Sequence, residues 1–266
     1  MAPRSIVLNN GAVYFGNSGG DTVQKVNTDG TGLAAVLTIS SPLGLAIDSN
    51  NIYFSAPMGG TLYRFGRVDM MRHTMATGLS LPRAIAIDAT AVYVVSNTGG
   101  TITKVLIAND MAQTLASGQN SPYGLAVDGS GVYFTTGNGN VNRVGLDGTG
   151  FVTLASGQTD PRGIAVDAAN VYWVNHNSGA AYAVPKAGGT PRRLGRTLFL
   201  ESIAVDNTNA YVTSSSGSVL RFNKSATDGT PVLIASGQNS PFGITVDTQC
   251  AYWTNDGSGT VMKGDK

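Results

Sequence analysis

One short segment, an apolar run closed by aspartate, returns along the whole 266-residue chain. It reads Leu-Ala-Ile-Asp48, Ile-Ala-Ile-Asp88, Leu-Ala-Val-Asp128, Ile-Ala-Val-Asp167, Ile-Ala-Val-Asp206 and Ile-Thr-Val-Asp247, and Ile-Val-Leu-Asn9 is the same segment with the amide in place of the acid. From Asn9 onward the steps are 39, 40, 40, 39, 39 and 41 residues. A period near 40, built of short β-rich stretches between Gly, Asn and Asp, is the mark of propeller blades. Helical repeats of that length need apolar residues at a 3.6 spacing over ten or more positions. No such stretch is present.

The order within a repeat is regular. The segment ending in the acid predicts the innermost strand. A turn of three or four residues then leads to a second strand marked by Tyr14, Tyr53, Tyr93, Tyr133, Tyr172, Tyr211 or Tyr252, so seven of the ten tyrosines hold one repeat position. The third strand carries Lys25, Arg64, Lys104, Arg143, Arg221 and Lys263, with Ala183 as the exception. Asp29-Gly30, Asp147-Gly148 and Asp228-Gly229 are hairpin dipeptides leading into the outer strand. A Pro-x-Gly step then opens the next repeat, with starts near residues 3, 42, 82, 122, 161, 200 and 241. The expectation is an all-β fold: one seven-bladed β-propeller domain over 1–266, with four-stranded antiparallel blades. Residues after Lys263 are too few for an outer strand in the last blade, and Arg4 already sits at the opening step of the first. The third strand of blade seven is therefore expected to be an open edge, a point of self-association, and the native gene is expected to extend further.

Composition narrows the function classes. Charged residues are 12% of the chain, 35 residues are glycine and the formal net charge is +1. That balance argues against nucleic-acid or anionic-membrane capture, and no apolar run reaches the length of about 20 that a membrane helix needs. Cys250 stands alone, so no internal disulfide is expected. The abundance of Gly, Ser, Thr and Asn, with little lysine, points to a secreted or periplasmic bacterial protein.

The Tyr-Trp-Val-Asn175 and Tyr-Trp-Thr-Asn255 stretches, each preceded by Gly-Ile-x-Val-Asp, resemble the tyrosine-tryptophan-threonine-aspartate propeller repeats of lipoprotein receptors. They are also similar to NHL repeats and to a group of repeat proteins of deltaproteobacteria. Those receptor propellers have six blades and close the motif on Asp, whereas this chain has seven repeats and closes it on Asn, Ser, Thr or Ala. The resemblance implies the fold, and binding on the face that carries the loops into the inner strand and between the second and third strands.

Residues that repeat are explained by the blade. The recurrent Asp precedes a tight turn, where a carboxylate accepts backbone N–H bonds, and is read as structural and not as a metal ring. The recurrent Tyr is read as blade packing, and the third-strand bases as solvated or inter-blade pairs. The informative position is the x of Pro-x-Gly, which changes from each copy to the next: Arg4, Leu43, Arg83, Tyr123, Arg162, Glu201 and Phe242. Inner strands line the channel, so this ring stands at its mouth. It holds three of eleven arginines, two aromatics and the one glutamate of the chain, the residue types that dominate binding surfaces. The competing reading is that Glu201 pairs with Arg162 across adjacent blades and merely stiffens the rim. Loop tips on the same face add Asn17, Asn97, Asn175, His176, Asn255 and Asp256. His73 is read as an exposed rim residue, and Cys250 as part of a turn on the opposite face.

No metal-ligand spacing, phosphate loop or nucleophile elbow is present, so neither metal nor cofactor is expected. The leading reading is a non-enzymatic binding module for a protein or extracellular polymer, using Arg4, Arg83, Tyr123, Arg162, Glu201, Phe242, Asn175, Asn255 and Asp256. The alternative is a lyase or hydrolase with His176 or Glu201 as general base and arginine stabilising an anionic substrate. A third is a scaffold or engineered propeller without ligand.

Overall fold

The computed structural model describes residues 2–266. Seven antiparallel sheets follow one another in chain order, six of four strands and the last of three. The first blade runs Pro3–Asn9, Ala12–Asn17, Thr22–Asn27 and Ala34–Thr38. Five more follow this order, and the seventh consists of Pro241–Val246, Cys250–Asn255 and Thr260–Asp265. One helical element occurs among the described residues, a single 3₁₀ turn at Pro57–Gly59 where blade two reads Ala-Pro-Met58. The ring is closed. Arg4 of the first blade pairs with Asp256 of the seventh at 3.1 Å, and Lys263 Nζ donates to the Thr28 carbonyl at 3.0 Å.

The core is divided among the seams between blades. Each buried apolar cluster joins two neighbours, as Tyr133, Val141 and Leu154 of blade four meet Ile164, Val171 and Trp173 of blade five. Both faces of most sheets are covered, so second strands are buried along their length. Burying such side chains supplies about 1.5–3 kcal/mol each. The smallest cluster is at the closing seam, with Val13, Cys250 and Tyr252 buried.

The recurrent acid and tyrosine lock together. In blade two, Asp48 Oδ1 accepts the N–H groups of Asn50 and Asn51, while Oδ2 accepts the Tyr53 hydroxyl at 2.7 Å. The same pair recurs at Asp88–Tyr93, Asp167–Tyr172, Asp206–Tyr211 and Asp247–Tyr252. In blade four the Tyr133 hydroxyl bonds Ser130 instead. The third-strand bases reach across the seams, though to carbonyls and not to acids: Arg64 and Lys104 donate to Ile107 and Leu146 of the following blade, and no acid pairs with them among the described residues. The ionic ties come one step later, from Lys186, Lys224 and Lys266 just past the third strand. These reach back to Asp128, Asp167 and Asp206 of the preceding blade.

The step into each inner strand has its own geometry. Ser41, Leu81, Ser121, Asp160, Phe199 and Ser240 all have positive φ, between 42° and 57°. A left-handed residue at this step bends the chain from the rim of one blade to the axis of the next.

Candidate functional site

The variable ring does gather at one end of the channel. A cavity of about 260 Å³ lies between the inner strands, walled by Ile6, Leu45, Ile85, Leu125, Ile164, Ser202 and Ile244, one from each blade. Arg4, Leu43, Tyr123, Glu201 and Phe242 line it as well. A second recess of about 100 Å³ is bounded by Arg4, Leu43, Arg83, Ala84, Tyr123 and Phe242.

Backbone packing sets these side chains in place. In the blades that keep the glycine of Pro-x-Gly the next blade comes close: a Cβ on Gly124 would stand 2.2 Å from the Arg162 carbonyl, and one on Gly243 2.3 Å from that of Arg4. A hydroxyl two residues after the repeat tyrosine then bridges the blades. Thr135 Oγ1 accepts the Gly124 N–H at 2.9 Å and donates to the Arg162 carbonyl at 2.8 Å. Ser55 does the same between Gly44 and Arg83, and Thr213 donates to the Phe242 carbonyl. Three ring residues are thus held by the preceding blade.

The ring divides into two halves of different character. On one side, Arg162 is bracketed by carboxylates, with Glu201 Oε2 at 2.6 Å and Asp160 Oδ2 at 3.0 Å. Burial works against its charge, but the Glu201 bond together with the charges of Glu201 and Asp160 outweighs that and raises its pKa above the ordinary arginine value. Glu201 is buried, and its Oε1 lies 3.1 Å from His176 Nδ1, which hydrogen-bonds the Leu200 carbonyl at 3.2 Å. With two acceptors facing that nitrogen, we assign the ring proton to Nδ1, which leaves Nε2 unprotonated. The imidazole packs against Phe199 at 5.6 Å and lines neither cavity.

On the other side the sequence around the ring is Phe242, Arg4, Leu43, Arg83, Tyr123. Each guanidinium covers an aromatic face, Arg4 that of Phe242 at 5.4 Å and Arg83 that of Tyr123 at 4.3 Å. Burial raises the Tyr123 pKa. Arg4 shares its charge with Asp256, yet its buried Nε has no hydrogen-bond partner among the described residues. Arg83 has no acidic partner at all among them. This half therefore offers guanidinium donors beside apolar surface, a setting that suits an anionic group carried on an apolar or aromatic body.

Two of the expected contact residues sit elsewhere. Asn175 and Asn255 end their second strands and are buried; they are not loop tips. Their amides donate to Gln158 and Gln238, which also accept the indole N–H groups of Trp173 and Trp253. Asn17 is buried in the same way and donates to Gln24, while Asn97 donates to the Pro122 carbonyl. His73 lies on the outer strand of blade two with Asp110 at 2.7 Å, and Cys250 opens a second strand, buried. Asp160 was missed as a site residue. The comparison of repeats carries its signal, since serine stands at that step in blades two, four and seven.

No described protein family and no curated protein matches the sequence. Solved structures share the fold. A virginiamycin B lyase from Staphylococcus aureus superposes with a TM-score of 0.85 at 13% identity, over 100% of this chain and 95% of that one. A streptogramin B lyase gives 0.87 at 13%, over 99% and 93%. A Nidogen/Laminin complex gives 0.65 at 19%, over 77% of this chain and 86% of that one. The superpositions show a shared fold, and identities this low leave the chemistry to the residues.

Proposed function

We propose that this protein is a binding module that captures an acidic group of a secreted or periplasmic partner, a protein or a polymer, at the channel mouth. The observation that carries the reading is Arg83: a guanidinium at the recess, stacked on Tyr123 and free of acidic partners among the described residues. Arg4, Leu43 and Phe242 extend the same surface, while Glu201 and Arg162 stiffen the opposite wall. The Nidogen/Laminin neighbour supports the use of such a fold in protein recognition. Titration with poly-L-glutamate and with neutral dextran tests it. Binding of the polyanion, weakening with salt, is expected, with Arg83→Ala at least tenfold weaker and His176→Ala within twofold of the parent. Equal binding by Arg83→Ala, or none by the parent, removes the reading.

A second reading rests on the His176–Glu201 contact, an imidazole beside a carboxylate and bonded to the Leu200 carbonyl, and two of the neighbouring folds are lyases. It requires Nε2 to meet substrate outside the two cavities. Turnover of an anionic substrate that His176→Ala abolishes, in a folded protein, would favour it over the binding module.

A further inference from the structure

In all six complete blades, the outer strand pairs with the third strand through one irregularity at the same place. The extra residue looped there is Val36, Met75, Leu115, Leu154, Leu194 or Ile234, apolar every time. Each belongs to the apolar cluster of the seam between its own blade and the next. The bulge thus aims one side chain sideways into the seam as a stopper. The residue after it, opposite the third strand again, is Leu37, Ala76, Ala116, Ala155, Gly195 or Ala235, small in five of the six.

The seventh seam has no stopper. Thr260–Asp265 is an edge strand with no outer partner among the described residues. Beside it lies a groove of about 600 Å³ between blades seven and one, lined by Phe15, Val26, Leu33, Tyr252, Val261 and Met262. Leu33 and Met262 are exposed there, at 64% and 39%. An open strand edge beside an apolar slot is the geometry that accepts an added strand.

We propose that this groove takes an extended peptide segment of the outer-strand pattern as the fourth strand of blade seven. The six internal copies specify its pattern. One residue lies opposite Lys263 and one opposite Met262. A bulged Leu, Met, Val or Ile follows and fills the groove, and then a small residue lies opposite Val261. Pairing of this edge with the same edge of a second copy is the less suitable occupant, because a regular antiparallel pair supplies no bulged apolar side chain to the seam. The site lies on the outer rim and is independent of the channel mouth.

The test uses the chain's own outer-strand sequence as the probe, a labelled nonapeptide copying Met111–Gln119, titrated by fluorescence anisotropy. Saturable binding is expected, with hydrogen-exchange protection gained at Thr260–Asp265. The peptide carrying Leu115→Asp is expected to bind at least tenfold more weakly. Met262→Asp and Leu33→Asp, both at exposed positions, are expected to weaken the parent peptide at least tenfold, whereas Arg83→Ala leaves it unchanged. Equal binding of the two peptides, or no saturable binding, overturns the proposal. So does a concentration-dependent dimer that Met262→Asp disperses and the peptide leaves intact.

Discussion

Glu201 shows how one residue partitions the mouth. A single buried carboxylate pairs with Arg162 through one oxygen and lies beside His176 through the other, so one half of the ring has its guanidinium paired and stiff while the other keeps available guanidinium groups. Replacing it with glutamine keeps the shape and removes the charge. Breaking one partner of a buried pair typically costs ~3–5 kcal/mol. Here Arg162 retains Asp160 and some solvent contact, so Glu201→Gln is expected to destabilise by about 2 kcal/mol, at the lower end of unpaired-charge costs. Denaturant unfolding measures this, and the polyanion titration shows whether the freed Arg162 joins the binding surface as a gain in affinity. The importance of this residue is legible without coordinates, because it is the one glutamate and it interrupts a repeated Pro-x-Gly. Its contact with His176 is not, since that depends on how the loop of one blade leans over the inner strand of the next.

Between elements, the ties that matter run from one blade to its neighbour. The Asp turn inside a blade is readable from the period alone, and so is the strand order, whereas the bond from the tyrosine hydroxyl to the same carboxylate emerges only from the fold. The hydroxyl bridge at Ser55, Thr135 and Thr213, and the lysine clip from the following blade, are written in positions that look ordinary until the seam is known. Asp167 illustrates the energetics. Burial pushes its carboxyl up, but the ammonium of Lys224 at 2.5 Å, the Tyr172 hydroxyl and the N–H groups of Ala169 and Asn170 outweigh burial and hold it well below the usual carboxylate range. Asp206, clipped by Lys266, behaves alike. A lowered native pKa contributes stability above the ordinary value of 3.8 and loses it as pH falls below that. Asp167→Asn is therefore expected to lower the melting temperature at neutral pH by about 2–4 °C, for a partly exposed contact worth ~1 kcal/mol. The gap to the parent should narrow as pH drops below about 4, which a series of thermal melts across that range checks directly.

For the whole molecule, the decisive contact is the one that joins its two ends. Arg4 serves both as clasp between the first and last blades, through Asp256, and as part of the cationic half of the mouth, over Phe242. These roles compete. Every bit of charge that Asp256 neutralises in closing the ring is withdrawn from an incoming anion, so closure and capture are set against each other at one guanidinium. Asp256→Asn separates them. The clasp is partly exposed, with Arg4 at 38% and Asp256 at 21%, so its loss is expected to cost at most about 1 kcal/mol and to lower the melting temperature by roughly 2–4 °C. The same ~1 kcal/mol, released to the ligand, corresponds to an affinity gain of about fivefold for poly-L-glutamate. A variant that melts earlier and binds more tightly would show Arg4 shared between the two tasks. One that melts earlier and binds no better would confine Arg4 to closure, and leave Arg83 as the group that carries recognition.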